Sequence, residues 1–190
     1  MRLVARVIAK VFDPVIVIPL IILGIGLMAV VNGYNWEFLI VLMFLDAVVP
    51  GTYVIVRYIK KGHDWDIRDR KERIPLYGLT VASHLLGVLA AYYMDIHPMA
   101  EILLGLWLLS LIFAVITYFW KISVHAGVNS VLAFFVIFFF GWEYWWIWLI
   151  PVMVGWARIE DNHHSVGQVV LGLLVPPLFL GAFYTWIGIM

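Results

Sequence analysis

The sequence predicts an all-α integral membrane helical bundle of about six or seven transmembrane helices. Three observations carry this: hydrophobic residues make up 65% of the chain and charged ones 13%, the mean hydropathy is +1.02, and long apolar runs follow one another with short breaks. Soluble domains lie far from this composition. The 190 residues leave room for one bundle and no separate soluble domain, so the expectation is a single transmembrane domain over 1–190. There is no cysteine, which excludes disulfides and thiol chemistry. The first apolar run follows Asp13-Pro14 without a small-residue cleavage site and reads as a retained helix.

A bilayer core needs about 20 apolar residues per helix, because an unpaired backbone amide is costly in hydrocarbon. The segments near that length run from Val15 to Val31, Phe38 to Val56, Leu76 to Met94, Ile102 to Trp120, Ser123 to Phe140, Trp145 to Trp156 and Val166 to Met190. The sixth is short and contains Pro151, so it is expected to be tilted, broken or extended by the residues before it. Trp120, Trp142 to Trp148 and Trp156 gather at segment ends, as amphipathic rings do at headgroup level.

Threading these crossings through the chain puts every Lys and Arg on one face, from Arg2, Arg6 and Lys10 through the 57–73 loop to Lys121 and Arg158. The opposite loops carry none. By the positive-inside rule the basic face, with the N-terminus, is expected to be cytoplasmic.

Three clusters of reactive side chains fall on that same face. The first is the stretch from Asp64 to Pro75, in which Arg70 and Arg73 are three apart and, on a helical turn, suit one phosphate anion. A solvated juxtamembrane loop is the bland reading of the same residues. In the second, Lys121-Ile-Ser-Val-His125, Ser123 is a candidate helix cap. Its amides, hydroxyl and Lys121 suit an anion, with His125 in the first turn to deliver a proton. The third runs from Arg158 to Gln168. If Asp161 or Asn162 caps the last helix, His164 and Gln168 share a face, and the Gln168 amide oxygen holds one imidazole nitrogen and leaves the other as a nucleophile. The adjacent His163 and His164 point about 100° apart on a helix and lack sulfur ligands or a His-x-x-x-His spacing, so no metal site is expected. Asp46, His84 and Asn129 lie inside apolar segments. Interhelical hydrogen bonds suffice for His84 and Asn129, whereas Asp46 stays open between structure and function.

Taken in order, these clusters resemble the type 2 phosphatidic acid phosphatase superfamily, the membrane lipid phosphatases related to vanadium haloperoxidases. Its signature reads Lys-x6-Arg-Pro, then Pro-Ser-Gly-His, then Ser-Arg-x5-His-x3-Asp. Ser123 and His125 match the second part, and Arg158 with five residues before His164 matches the third, selecting His164 over His163. The chain departs at Arg73-Ile-Pro75 for Arg-Pro, at Asp66 for the lysine, at Ala157 for the serine and at Gln168 for the aspartate. The resemblance spans roughly 64–173 and leaves out the first two helices. It implies a metal-independent, cofactor-free phosphatase acting on a lipid phosphate or isoprenoid (di)phosphate, with membrane lipids around it and no nucleic acid partner. In it His164 is the nucleophile, oriented by Gln168, and His125 the general acid, while Arg73, Arg158, Ser123, Arg70 and Lys121 hold the phosphate. Two other classes remain open: a UbiA-type prenyltransferase using Asp64, Asp66 and Asp69 with magnesium, and a non-catalytic lipid-phosphate binder or transporter.

Overall fold

The computed structural model describes residues 1–61, 67 and 70–190, without the side chains of Lys61 and Arg70. It is an all-α membrane protein, with no strand among the described residues. Five helices are long and apolar enough to cross a membrane, within Arg2–Val31, Trp36–Lys60, Lys71–Tyr93, Met99–Phe119 and Val166–Trp186, and Val124–Phe140 is a shorter apolar helix. The chain forms two compact units, Met1–Ile21 with Lys121–Met190, and Ile22–Trp120.

The first unit begins with α1 (Arg2–Val11), a helix that lies outside the apolar segments of the sequence. Arg2, Arg6 and Lys10 repeat every fourth residue, while Ala5 and Ala9 are buried and let α1 pack closely on α8 (Leu149–Glu160). The chain then breaks at Asp13. Its carboxylate accepts from the Val15 N–H at 2.9 Å, and Pro14 opens α2 (Pro14–Val31) where a missing amide hydrogen costs nothing.

After α7 (Val124–Phe140), Gly141 takes a φ of 104°, a conformation that favours glycine, and the chain turns back. The expected sixth crossing is longer than Trp145 to Trp156: a 3-10 turn over Trp142–Trp148 leads into α8, which continues to Glu160. Pro151 does not break it, because it stands in the first turn, where its amide has no intrahelical partner to lose. The last helix, α9 (Val166–Trp186), packs on α7 and α8 and runs in the same direction as α7. At their starts Gly172 lies against Ser123, Ala126 and Gly127. Further along, Tyr184 packs among Phe134, Phe135 and Phe138, its ring tilted to theirs by 43–46° at centroid distances of 5.6–6.3 Å.

In the second unit, α3 (Trp36–Met43) passes through a π-helical turn at Phe44–Val48 into α4 (Val49–Lys61). Pro50 explains the turn: it has no N–H for the Asp46 carbonyl four residues back, and π geometry rearranges the ladder around the loss. The turn packs on α5 (Arg70–Tyr93), which packs on α6 (Met99–Phe119).

The approach of α9 to α7 depends on the missing side chain of Gly172, whose Cβ would stand 2.6 Å from the Ser123 carbonyl oxygen. Backbone cannot swing aside as a side chain does. Gly172→Ala is therefore expected to cost roughly 1–3 kcal/mol, the usual range for overpacking, and to lower the unfolding temperature in detergent. Gly24→Ala, where nothing lies within 4 Å of the new Cβ, leaves that temperature unchanged or slightly raised.

Candidate active site

The start of α7 supplies the first group of side chains. Ser123 caps the helix, its hydroxyl accepting from the Ala126 N–H at 3.4 Å, as expected from the sequence. That places His125 in the first turn, buried. Its Nε2 lies 3.2 Å from the Asp13 carboxylate, a partner contributed by the break between α1 and α2. Asn129, one turn further on, donates to the Phe12 carbonyl at 3.0 Å and to the His125 carbonyl at 2.8 Å. The interhelical hydrogen bond expected of Asn129 is therefore present, and it fixes the Asp13 segment over His125.

The second group comes from the turn between α8 and α9. Asn162 adopts a left-handed conformation (φ 56°), and the amides of His163 and His164 return to the Arg158 carbonyl at 3.0 and 3.2 Å. This turn is the geometric content of the Arg-x5-His spacing, since it folds His164 back beside Arg158. The cap of α9 corrects the sequence reading. Neither Asp161 nor Asn162 caps it: Asp161 ends α8, and Ser165 is the N-cap. Ser165 and Gln168 form a capping box, with the Gln168 N–H donating to Ser165 Oγ at 3.4 Å and the Ser165 N–H donating to Gln168 Oε1 at 3.2 Å.

His164 precedes the helix rather than riding on it, yet the expected contact forms. Its Nδ1 lies 3.0 Å from Gln168 Oε1. An amide oxygen only accepts, so Nδ1 carries the hydrogen and the basic lone pair of a neutral ring is on Nε2.

Gln168 also joins the two groups, because its carbonyl accepts from the Ser123 N–H at 3.2 Å. Lys121 adds a second link, donating from Nζ to the His163 carbonyl at 2.9 Å. Lys121, Ser123, Arg158, His164 and Gln168 thus stand in one hydrogen-bonded cluster of the first unit, with His125 two residues past Ser123. Arg73 belongs to the second unit, where its Nε donates to the Ile67 carbonyl at 2.7 Å. Arg70 begins α5, with its side chain outside the described residues, as are Asp64, Asp66 and Asp69.

Asp13 and His163 join the cluster unforeseen. An Arg158 guanidinium nitrogen lies 2.8 Å from His163 Nδ1, and His163 Nε2 lies 3.1 Å from Asp161 Oδ2. The guanidinium donates, so His163 carries its hydrogen on Nε2, which faces the Asp161 carboxylate. Arg6 of α1 donates to Asp161 at 3.0 Å. The alternation Arg6, Asp161, His163, Arg158 leaves each charge beside a complementary group. Only the Asp-Pro break after a short basic stretch hinted that the N-terminus bears on this site. Comparison with family models, curated proteins and solved structures finds no match to the chain.

Burial raises the Asp161 carboxyl, but the Arg6 hydrogen bond and the nearby positive charge, that of Arg6 first, outweigh it and hold it below its ordinary 3.8. A carboxylate lowered by folding stabilises fully above its ordinary value, and this contribution is lost as pH falls through the lowered one. Asp161→Asn is therefore expected to unfold more readily than the parent at neutral pH. The gap in unfolding midpoint, small because Arg6 is largely exposed, closes in strong acid. A gap constant with pH contradicts the assignment.

Proposed function

We propose that this chain is a metal-independent membrane phosphatase that removes phosphate from a lipid phosphate or an isoprenoid (di)phosphate. One observation carries the reading: Gln168 orients the His164 imidazole with its side chain and ties it, through its carbonyl, to the capped helix start that bears His125. A nucleophile, an acid and cationic side chains thereby meet at two helix N-termini, where backbone amides and helix dipoles favour a phosphate group.

In the first step His164 Nε2 attacks phosphorus in line, forming a P–N bond as the P–O bond to the lipid breaks, and His125 gives its proton to the departing oxygen. In the second, water attacks the phosphohistidine, His125 takes a proton from that water, and phosphate leaves with His164 restored. Arg158, Lys121 and Ser123 supply donors to the equatorial oxygens. The two histidines have different supports, and the difference suits the roles. A carboxylate lies at Nε2 of His125, the acid, and a neutral amide oxygen at Nδ1 of His164, the nucleophile. Asp13 thus supplies charge that the third motif, with Gln168 for aspartate, lacks. The site and the N-terminus are assigned to the cytoplasmic face, which collects all the basic residues.

Purified protein is expected to release phosphate from a panel of phosphatidate, phosphatidylglycerophosphate and polyprenyl diphosphate in the presence of a strong chelator. His164→Ala abolishes release. His125→Ala and Asp13→Asn lower kcat by roughly 10²-fold or more, the scale of general acid catalysis, with KM little changed. No release from any of the three, or release unaffected by His164→Ala, overturns the proposal, and strict magnesium dependence favours the prenyltransferase class.

A further inference from the structure

The phosphatase chemistry uses nothing from the interior of the second unit, yet its least ordinary residue is there. Asp46 stands on the π-helical turn between α3 and α4, 4% exposed, inside an apolar crossing, and neither carboxylate oxygen has a hydrogen-bond partner. The carboxylate points at α5. There Gly87 leaves the space it fills, since a Cβ at Gly87 would stand 2.7 Å from Asp46 Oδ2. One turn earlier, His84 brings Nδ1 to 3.7 Å from Asp46 Oδ1.

No other described group compensates that carboxylate. On α3 the acid is Glu37, at the far end of the helix. On α4 the titratable groups among the described side chains are Tyr53, Arg57, Tyr58 and Lys60, and Arg57 is bonded to Glu72. On α5 they are Lys71, Glu72, Arg73 and Tyr77 near its start, His84, and Tyr92 and Tyr93 at its end. On α6 they are Glu101, bonded to His97, and Tyr118. Among all of these only His84 comes within ion-pair distance of Asp46.

An unpaired carboxylate is too costly to keep in hydrocarbon, so the site demands a cation. A metal ion needs several oxygen or nitrogen ligands, and this site presents one carboxylate and one imidazole. A proton needs no more than that. We infer that Asp46 and His84 form an intramembrane proton-binding site in which the carboxylate and the imidazole share a single proton. It resides either on the Asp46 carboxyl beside a neutral ring or on the ring beside the carboxylate. π-helical turns recur at functional sites, and here the turn carries the carboxylate, with Gly87 giving it room.

The test is labelling of the full chain, reconstituted in phosphatidylcholine vesicles, with dicyclohexylcarbodiimide, an apolar reagent that attacks protonated carboxyls in hydrocarbon. Peptide mass mapping then locates the adduct. The site predicts an adduct on Asp46 that increases as pH is lowered and is absent in Asp46→Asn. His84→Gln extends labelling to higher pH, because it removes the state in which the ring holds the proton. Absence of label on Asp46, a yield independent of pH, a pH profile unmoved by His84→Gln, or protection by sodium at fixed pH each overturns the proposal. None of these outcomes depends on phosphate release.

Discussion

The first unit depends on a backbone contact that tolerates no side chain. Gly172 brings α9 against the Ser123 carbonyl, and at that closeness the Ser123 N–H reaches the Gln168 carbonyl. The two helices run in the same direction, so their N-termini lie at one level, and unsatisfied amides and positive dipole ends are gathered in one place. A bundle that places two such ends side by side needs negative charge there or polar groups to satisfy them. The Ser123 and Ser165 caps meet part of that need, and the proposed lipid phosphate would answer the rest.

The surrounding side chains form an alternating polar network around this contact. Arg158 is buried and meets His163, His163 meets Asp161, and Asp161 meets Arg6 on the half-exposed edge. Buried ions are costly unless paired and hydrogen-bonded, which explains why so many polar residues occur together in a chain otherwise so apolar. The N-terminal segment contributes to both ends of the network, through Arg6 at Asp161 and Asp13 at His125. It is therefore as much a part of the cluster as the two helix starts.

Much of this was legible in the sequence, because lipid leaves few choices. Every apolar segment became helix, and Ser123 capped α7 where a serine before an apolar run should. What escaped did so for identifiable reasons. The α1 helix is amphipathic and short, and its partner α8 is remote in sequence. Ser165 was overlooked as a cap because Asp161 and Asn162 are equally good capping types, and the choice between them rests on a left-handed turn at Asn162 that local sequence does not fix. Asp13 reads locally only as the cap of α2. Its second contact, to His125, spans 112 positions and leaves no periodic trace. The π turn at Asp46 follows from Pro50, whose missing N–H can as readily bend a helix as widen it.

The phosphatase account centres on which imidazole forms a bond to phosphorus. His164 is held by an amide with its basic nitrogen on Nε2, whereas Arg158 and Asp161 engage both nitrogens of His163. The direct measurement is rapid alkaline quenching of the protein turning over labelled lipid phosphate, followed by mass spectrometric location of the phosphorylated histidine. The account predicts phosphate on His164 alone. Phosphate on His163 or His125, or none trapped during demonstrable turnover, contradicts it.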